Sequence, residues 1–90
     1  RHLATKLVGS LQRNGIALHA EDPVRDRVLR GRRTWVPAVL RYSAAQHAVL
    51  LECCNMANDG DRQAMVDRAW RERFALSVVE GTAAAFGAKP

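Results

Sequence analysis

The feature that most restricts the fold of this chain is a short apolar run that ends in an acid, Val49-Leu50-Leu51-Glu52, followed by polar, turn-forming residues up to Asp61. A run of this kind is typical of a buried β-strand that delivers one carboxylate to the edge of a sheet. Residues 35–41 (WVPAVLR) form a second apolar run, in which Pro37 indicates the beginning or the edge of a strand. Because only residues 42–47 connect the two runs, a parallel crossover between them is excluded. Continuous apolar runs are typical of strands covered on both faces, so we expect further strands beyond these two.

Helical patterns lie on both sides of the predicted strands. Apolar residues recur every four positions near the start of the chain, at Leu3, Leu7 and Leu11. This spacing predicts an amphipathic helix over residues 2–14, ended by Gly15. A longer helix over residues 68–86 is predicted to pack over the sheet, with Gly87 as its stop. Its apolar stripe consists of Trp70, Phe74, Val78 and Phe86.

Acidic residues mark the helix starts in the C-terminal half. Asp59 or Asp61 can cap a short helix through residues 64–66, and Asp67 can cap the last helix. Asn58 and Asp61 are expected to shape this loop and cap a helix rather than to touch a ligand. These elements together predict an α/β fold, a partial mixed sheet with flanking helices.

Length and charge restrict the class of protein. Ninety residues allow one small domain, and because the sequence begins with Arg1 we expect a partial chain. The formal charge of +5 favours polyanionic partners. Five arginines within residues 24–33 indicate either a solvated loop or a polyanion-binding rim, but no aromatic residues alternate with them, so nucleic acid is not favoured. No apolar run reaches the roughly 18 to 20 residues that a membrane span needs.

The remaining candidate groups for chemistry lie close to Glu52. A disulfide between the adjacent Cys53 and Cys54 would be strained, so two free thiols are expected. Free thiols favour a reducing compartment weakly, although buried thiols also survive export. His47, Glu52 and the two thiols suggest a metal site or a Cys-His nucleophile, but their spacing matches no closed zinc pattern. Glu52 is either the partner of an arginine at a strand end or a catalytic acid.

Several of these segments, taken in order, resemble a known family. The segments are Val39-Leu40-Arg41, residues 48–52 (AVLLE), Asn58 with Asp61, Trp70-Arg71, and residues 78–81 (VVEG). Their order is similar to the C-terminal half of the zinc-dependent N-acetylmuramoyl-L-alanine amidases, which typically read "VLR", "PAVLVE", "GFxSNxxD" and "A.AIA.GI". The resemblance extends from about residue 3 to residue 86. It includes a first helix like the family's "LA..I" helix and a basic loop before the "VLR" position.

The resemblance implies a fold and a reaction. Residues 1–90 would be the C-terminal half of one amidase-like catalytic domain whose N-terminal half lies outside this chain. The family's zinc is held by two histidines and a glutamate, all N-terminal to the region resembled here, and a second glutamate beside the metal corresponds to Glu52. The implied reaction is hydrolysis of the amide between the lactyl group of muramic acid and L-alanine, by zinc-activated water with Glu52 as general base. The implied substrate is peptidoglycan or a muropeptide, and the implied location is periplasmic or extracellular.

The chain also departs from the family pattern. Cys54-Asn55 stands where the family has Gly-Phe, Ala57 stands where Ser or Thr is common, and His47 or Ala48 replaces a proline. We therefore keep two alternatives, a non-catalytic amidase-like module that binds cell wall or a partner protein, and a basic polyanion-binding module. We expect the 90-residue chain alone to bind no zinc and to be inactive.

Overall fold

The computed structural model describes residues 1–18, 22–25, 28–30 and 33–88, and these residues are mostly helical. The helices are α1 (His2–Arg13), α2 (Ala38–Arg41), α3 (Asp59–Val66) and α4 (Arg68–Ala85), and the strands are β1 (Val28–Arg30) and β2 (Arg33–Trp35). The strands form an antiparallel hairpin that pairs Val28 with Trp35. Within the described residues there is no larger sheet, so the predicted α/β fold with a partial mixed sheet is wrong.

Helix α1 confirms the prediction of an amphipathic helix at the start of the chain. Its apolar spacing places Leu7 and Leu11 in the core, where they are almost fully buried. The helix ends at Arg13, and Gly15 follows with a φ of 76°, a conformation that glycine adopts without the steric cost of a Cβ atom. Ile16, directly after this turn, is also buried.

Helix α4 begins and ends close to the predicted positions. The Asp67 carboxylate accepts a hydrogen bond from the Ala69 N–H at 3.0 Å, which confirms Asp67 as the N-cap. The helix ends at Ala85, and Gly87 follows with a φ of 68°. However, α4 packs against α1 and not over a sheet, which corrects the predicted packing.

The contact between α1 and α4 is made by small residues. Going along α1, His2 lies beside Ala85, Leu7 beside Gly81, and Ser10 beside Ser77, so the two helices run antiparallel. A Cβ atom on Gly81 would lie 2.9 Å from the Leu7 Cα atom, which shows how closely the backbones approach. Ser10 and Ser77 are completely buried, and the Ser10 hydroxyl donates a hydrogen bond of 2.7 Å to the Ser77 carbonyl oxygen.

The aromatic stripe of α4 is not the centre of the helix contact. Trp70 and Phe74 stack on each other with ring centroids 5.2 Å apart, and both are only partly buried. Phe86 is exposed and contacts the His47 ring edge to face at 5.1 Å. The stripe therefore lies at the margin of the core, because α4 approaches α1 most closely through Ser77 and Gly81.

The first predicted strand, over residues 35–41, divides into two different elements. Only Trp35 belongs to a strand, β2, whereas Pro37 is the N-cap of the one-turn helix α2. Alanine, leucine and arginine in α2 are all strong helix formers, and proline fits well at a helix start. Short apolar runs do not distinguish strand from helix by periodicity, which explains the wrong prediction.

The second predicted strand, over residues 48–52, is absent. These residues lie outside every helix and strand, and Leu50 and Leu51 are exposed at 48% and 37% of their surface. A strand needs a hydrogen-bonded neighbour, and no described strand is adjacent to this segment. The premise that Glu52 ends a buried strand is therefore wrong.

Helix α3 begins at Asp59, slightly earlier than a cap at Asp59 or Asp61 would place it. Its N-cap is Asn58, whose side-chain oxygen accepts from the Asp61 N–H at 3.0 Å, and not Asp59 or Asp61 as predicted. Asp59 and Asp61 lie instead in the first turn, where acids interact favourably with the helix dipole. Among the described helices, none combines the length and the apolar character needed to cross a bilayer.

Candidate functional site

Glu52 lies in the irregular segment between α2 and α3, with its side chain exposed. Within the described residues its carboxylate makes no hydrogen bond and no ion pair. Among the described residues, no arginine therefore forms the ion pair with Glu52 that the structural alternative requires. Both carboxylate oxygens are open to solvent or to a ligand.

Glu52 lines a cleft of about 530 Å³, within the size range of small-molecule sites. One wall is apolar and comes from α1, the residues after it, α2 and α4. The apolar wall comprises Val8, Leu11, Ile16, Leu18, Leu40 and Phe74. The other wall is the irregular segment itself, from Leu50 to Asn55, with Asn58 beyond it. An exposed acid thus lies beside an apolar surface that could bind the non-polar part of a ligand.

Asp22 and Arg25 add two charged side chains to the lining of this cleft. The Arg25 Nε–H donates to the Asp22 carbonyl oxygen at 3.2 Å, which leaves the rest of the guanidinium exposed. Arg25 and Arg33 are the arginines of the basic run whose side chains are described, and both are exposed. The other three, Arg27, Arg30 and Arg32, lie outside the described residues or have no described side chain, so the predicted polyanion-binding rim stays a prediction.

Hydrogen bonds fix the polar turn that follows Glu52. The Asp61 carboxylate accepts from the Asn55 N–H at 2.8 Å, and the Asn55 side-chain oxygen accepts from the Ala57 N–H at 2.9 Å. Together with the Asn58 cap, these bonds join the turn to the first turn of α3. They confirm that Asn58 and Asp61 shape the loop and start a helix. The spacing Asn58-x-x-Asp61 resembles that of a capping box, but the Asp61 carboxylate accepts from the Asn55 N–H and not from the Asn58 N–H.

Cys53 and Cys54 are free thiols, as predicted, and both line the cleft. Cys53 is exposed and Cys54 is half-buried. Partial removal from water raises the pKa of the Cys53 thiol above its ordinary value. The pKa of Cys54 is raised by desolvation first, and also by the negative charges of Asp61 and Cys53. Raised values disfavour the thiolate, so neither thiol has the electropositive surroundings of an activated nucleophile.

The structure does not assemble a metal site from the candidate ligands. The described residues contain no group of three or more His, Cys, Asp and Glu side chains that could hold a metal ion. His47 contacts Phe86, and the His2 Nε2 atom lies 3.2 Å from the Ala85 carbonyl oxygen. His19 lies outside the described residues. The suggested cluster of His47, Glu52 and the two thiols is therefore not a metal site in this fold.

Comparisons with known proteins identify no relative. The sequence matches no protein-family model, and searches of curated proteins and of solved structures find no significant match. The resemblance to the amidases therefore stays a prediction that depends on the order of residues within this chain.

Proposed function

We propose that this chain is part of a peptidoglycan amide hydrolase and that Glu52 transfers the protons of the reaction. The proposed substrate is the amide between the lactyl group of muramic acid and L-alanine, in peptidoglycan or a muropeptide. The observation that carries the proposal is the placement of Glu52, an exposed carboxylate without a partner among the described residues, on the rim of a half-apolar cleft. The succession of residues from Val39 to Gly81 supplies the reaction class.

Hydrolysis of this amide needs two proton transfers, and one carboxylate can perform both. Glu52 accepts a proton from the attacking water as the C–O bond forms, and then gives it to the amide nitrogen as the C–N bond breaks. The products are the free lactyl carboxylate and the free amino group of L-alanine. A carboxylate that is not already held by an arginine is suited to this role, since an ion pair would favour its charged form and weaken it as the base of the first step.

The zinc ion that the resemblance implies does not fit the described residues alone, because they contain no cluster of three ligands. Its ligands are proposed to lie N-terminal to this chain, and no step above depends on its geometry. When bound, zinc would polarise the carbonyl and lower the pKa of the attacking water. A location in the cell envelope, where peptidoglycan is found, is part of the same proposal.

The decisive experiment replaces Glu52 in the longer protein to which the proposal assigns the chain. Its sequence should contain a His, a Glu and a His, in that order, before Arg1; their absence would rule out the zinc hydrolase. With those ligands present, Glu52→Gln should retain zinc but lower peptide release from a purified muropeptide by roughly 10²- to 10⁴-fold, the usual contribution of a general base.

A matched control is Glu72→Gln on the exposed face of α4, where Glu72 accepts from the Arg68 side chain and from no other described residue. This variant makes the same chemical change and should turn over like the unchanged protein. Equal turnover of the Glu52→Gln variant would contradict the proposal. If the unchanged protein binds peptidoglycan but releases no peptide, the chain belongs to a non-catalytic module instead. Binding that weakens steeply with salt and is indifferent to the muropeptide would favour the polyanion-binding alternative.

A further inference from the structure

The segment that carries Glu52 is held to the rest of the fold at few points. From residue 46 to residue 54 no hydrogen bond joins the segment to the other described residues, and the contact of the His47 ring with Phe86 lies five positions before Glu52. After Glu52, the first hydrogen bond is made by the Asn55 N–H, which donates to the Asp61 carboxylate at 2.8 Å. Three residues span at most about 10 Å, so this bond limits where Glu52 can lie.

Asp61 is itself fixed in place. Its N–H donates to the Asn58 side-chain oxygen at 3.0 Å, and it lies in the first turn of α3. The next residue along, Arg62, donates from Nη1 to the Met56 carbonyl oxygen at 2.6 Å, which holds the turn from the other side. Because the N–H of Asn55 is paired with an ionised carboxylate, the bond is charge-assisted and stronger than a neutral one.

We infer that Asp61 is a positioning residue that sets the place of Glu52 on the cleft through its hydrogen bond to the Asn55 backbone. The inference rests on the proposed function for its kinetic part only; the structural part concerns the order of the turn itself. In this role Asp61 does not touch substrate. Any side chain with an acceptor oxygen at the same place should partly perform it.

The structural test uses amide hydrogen exchange on the 90-residue chain. Asp61→Ala should accelerate exchange at the Asn55 amide by about tenfold or more, because that N–H loses its acceptor. Asp61→Asn retains an acceptor oxygen and should restore most of the protection. The matched control is Asp59→Ala, which removes an acid from the same helix turn and its ion pair with Arg62 but leaves the Asn55 bond intact. Equal exchange in the Asp61→Ala and Asp59→Ala variants would overturn the inference.

The kinetic test uses the longer protein. Asp61→Ala should lower kcat about tenfold with KM changed less than twofold, because misplacement of a proton carrier affects the chemical step. Asp61→Asn should recover kcat, and Asp59→Ala should not alter it. If Glu52→Gln is inactive while Asp61→Ala turns over like Asp59→Ala, the positioning role is wrong and the proposed function stands. If Glu52→Gln is fully active, the proposed function fails and the exchange test alone decides about Asp61.

Discussion

The α1–α4 helix pair and the irregular segment of residues 43–58 differ in how their residues are packed and hydrogen-bonded. The helix pair is close-packed, with Ser10, Ser77 and Gly81 buried where the two backbones meet. The irregular segment exposes Leu50 and Leu51 beside the cleft and makes most of its hydrogen bonds at its C-terminal end, around Asn55 and Asn58. The candidate acid lies in the less supported region.

Because the two regions are packed so differently, substitutions in them should affect different properties of the protein. Removing a close contact between two helices affects every residue that depends on their packing, whereas changing an exposed side chain on an irregular segment affects mainly what binds there. Substitutions in the helix pair should therefore alter the free energy of unfolding, and substitutions around Glu52 should alter it less.

The largest effect is expected at Gly81. A Cβ atom there would lie 2.9 Å from the Leu7 Cα atom and 3.1 Å from the Lys6 carbonyl oxygen, both of them backbone atoms that cannot move alone. Gly81→Ala should therefore destabilise the chain by about 2 kcal/mol through overpacking, in spite of the better helix propensity of alanine. Thermal unfolding followed by circular dichroism measures the change.

The matched control for Gly81 is Gly9, a glycine inside α1. Among the described residues, its added Cβ atom would meet only the flexible end of the Arg13 side chain, at 3.4 Å. Gly9→Ala should stabilise the chain by up to about 1 kcal/mol, because alanine has the higher helix propensity and contacts no backbone. If both variants change stability in the same direction, the close approach of α1 and α4 is contradicted.

A smaller effect is expected at the two buried serines. Ser10→Ala removes the hydrogen bond from α1 to the Ser77 carbonyl oxygen and should cost about 1 kcal/mol. The Ser77 hydroxyl donates within its own helix, to the Arg73 carbonyl oxygen at 2.7 Å, so Ser77→Ala should change stability by less than about 0.5 kcal/mol. Denaturant unfolding of both variants compares a bond between helices with a bond inside one. A larger loss for Ser77→Ala would reverse this assignment.

The smallest effect concerns the two thiols of the irregular segment. Because the folded-state pKa of each thiol is raised, the thiolate forms at higher pH in the folded chain than in the unfolded chain. The contribution of each neutral thiol to folding stability is therefore present at pH values below the pKa of the unfolded state. It is lost as the pH rises through the pKa of the folded state. Labelling with a thiolate-selective reagent should therefore follow a curve displaced to higher pH than in denaturant.

The same measurement distinguishes Cys54 from Cys53. Asp61 contributes to the raised pKa of Cys54, whereas desolvation alone raises that of Cys53. Asp61→Asn should move the Cys54 curve, read in a Cys53→Ser background, to lower pH. The Cys53 curve, read in a Cys54→Ser background, should not move. A shift of the Cys53 curve without a shift of the Cys54 curve would contradict the assignment of the Asp61 charge to Cys54.

Local sequence signals predicted the helices better than they predicted the sheet. The four-residue spacing of Leu3, Leu7 and Leu11 located α1, and Asp67 located the start of α4, because caps and amphipathic periodicity depend on neighbours in sequence. The strand predictions failed at residues 35–41 and 48–52 because a strand is stabilised by a partner that the local sequence does not contain. For the candidate site, the sequence identified Glu52 and the two free thiols, but it did not identify the bond between Asp61 and Asn55.

By itself, the sequence determined where α1 and α4 begin and end, that the adjacent cysteines remain free, and that Glu52 is the acid to test. Only the tertiary structure decided that α4 packs on α1 through serine and glycine instead of through its aromatic stripe. It also decided that the segment of Glu52 is exposed along a cleft and not buried in a sheet. The physical reason is that close packing selects the residues that let two backbones approach, and this selection depends on both helices at once.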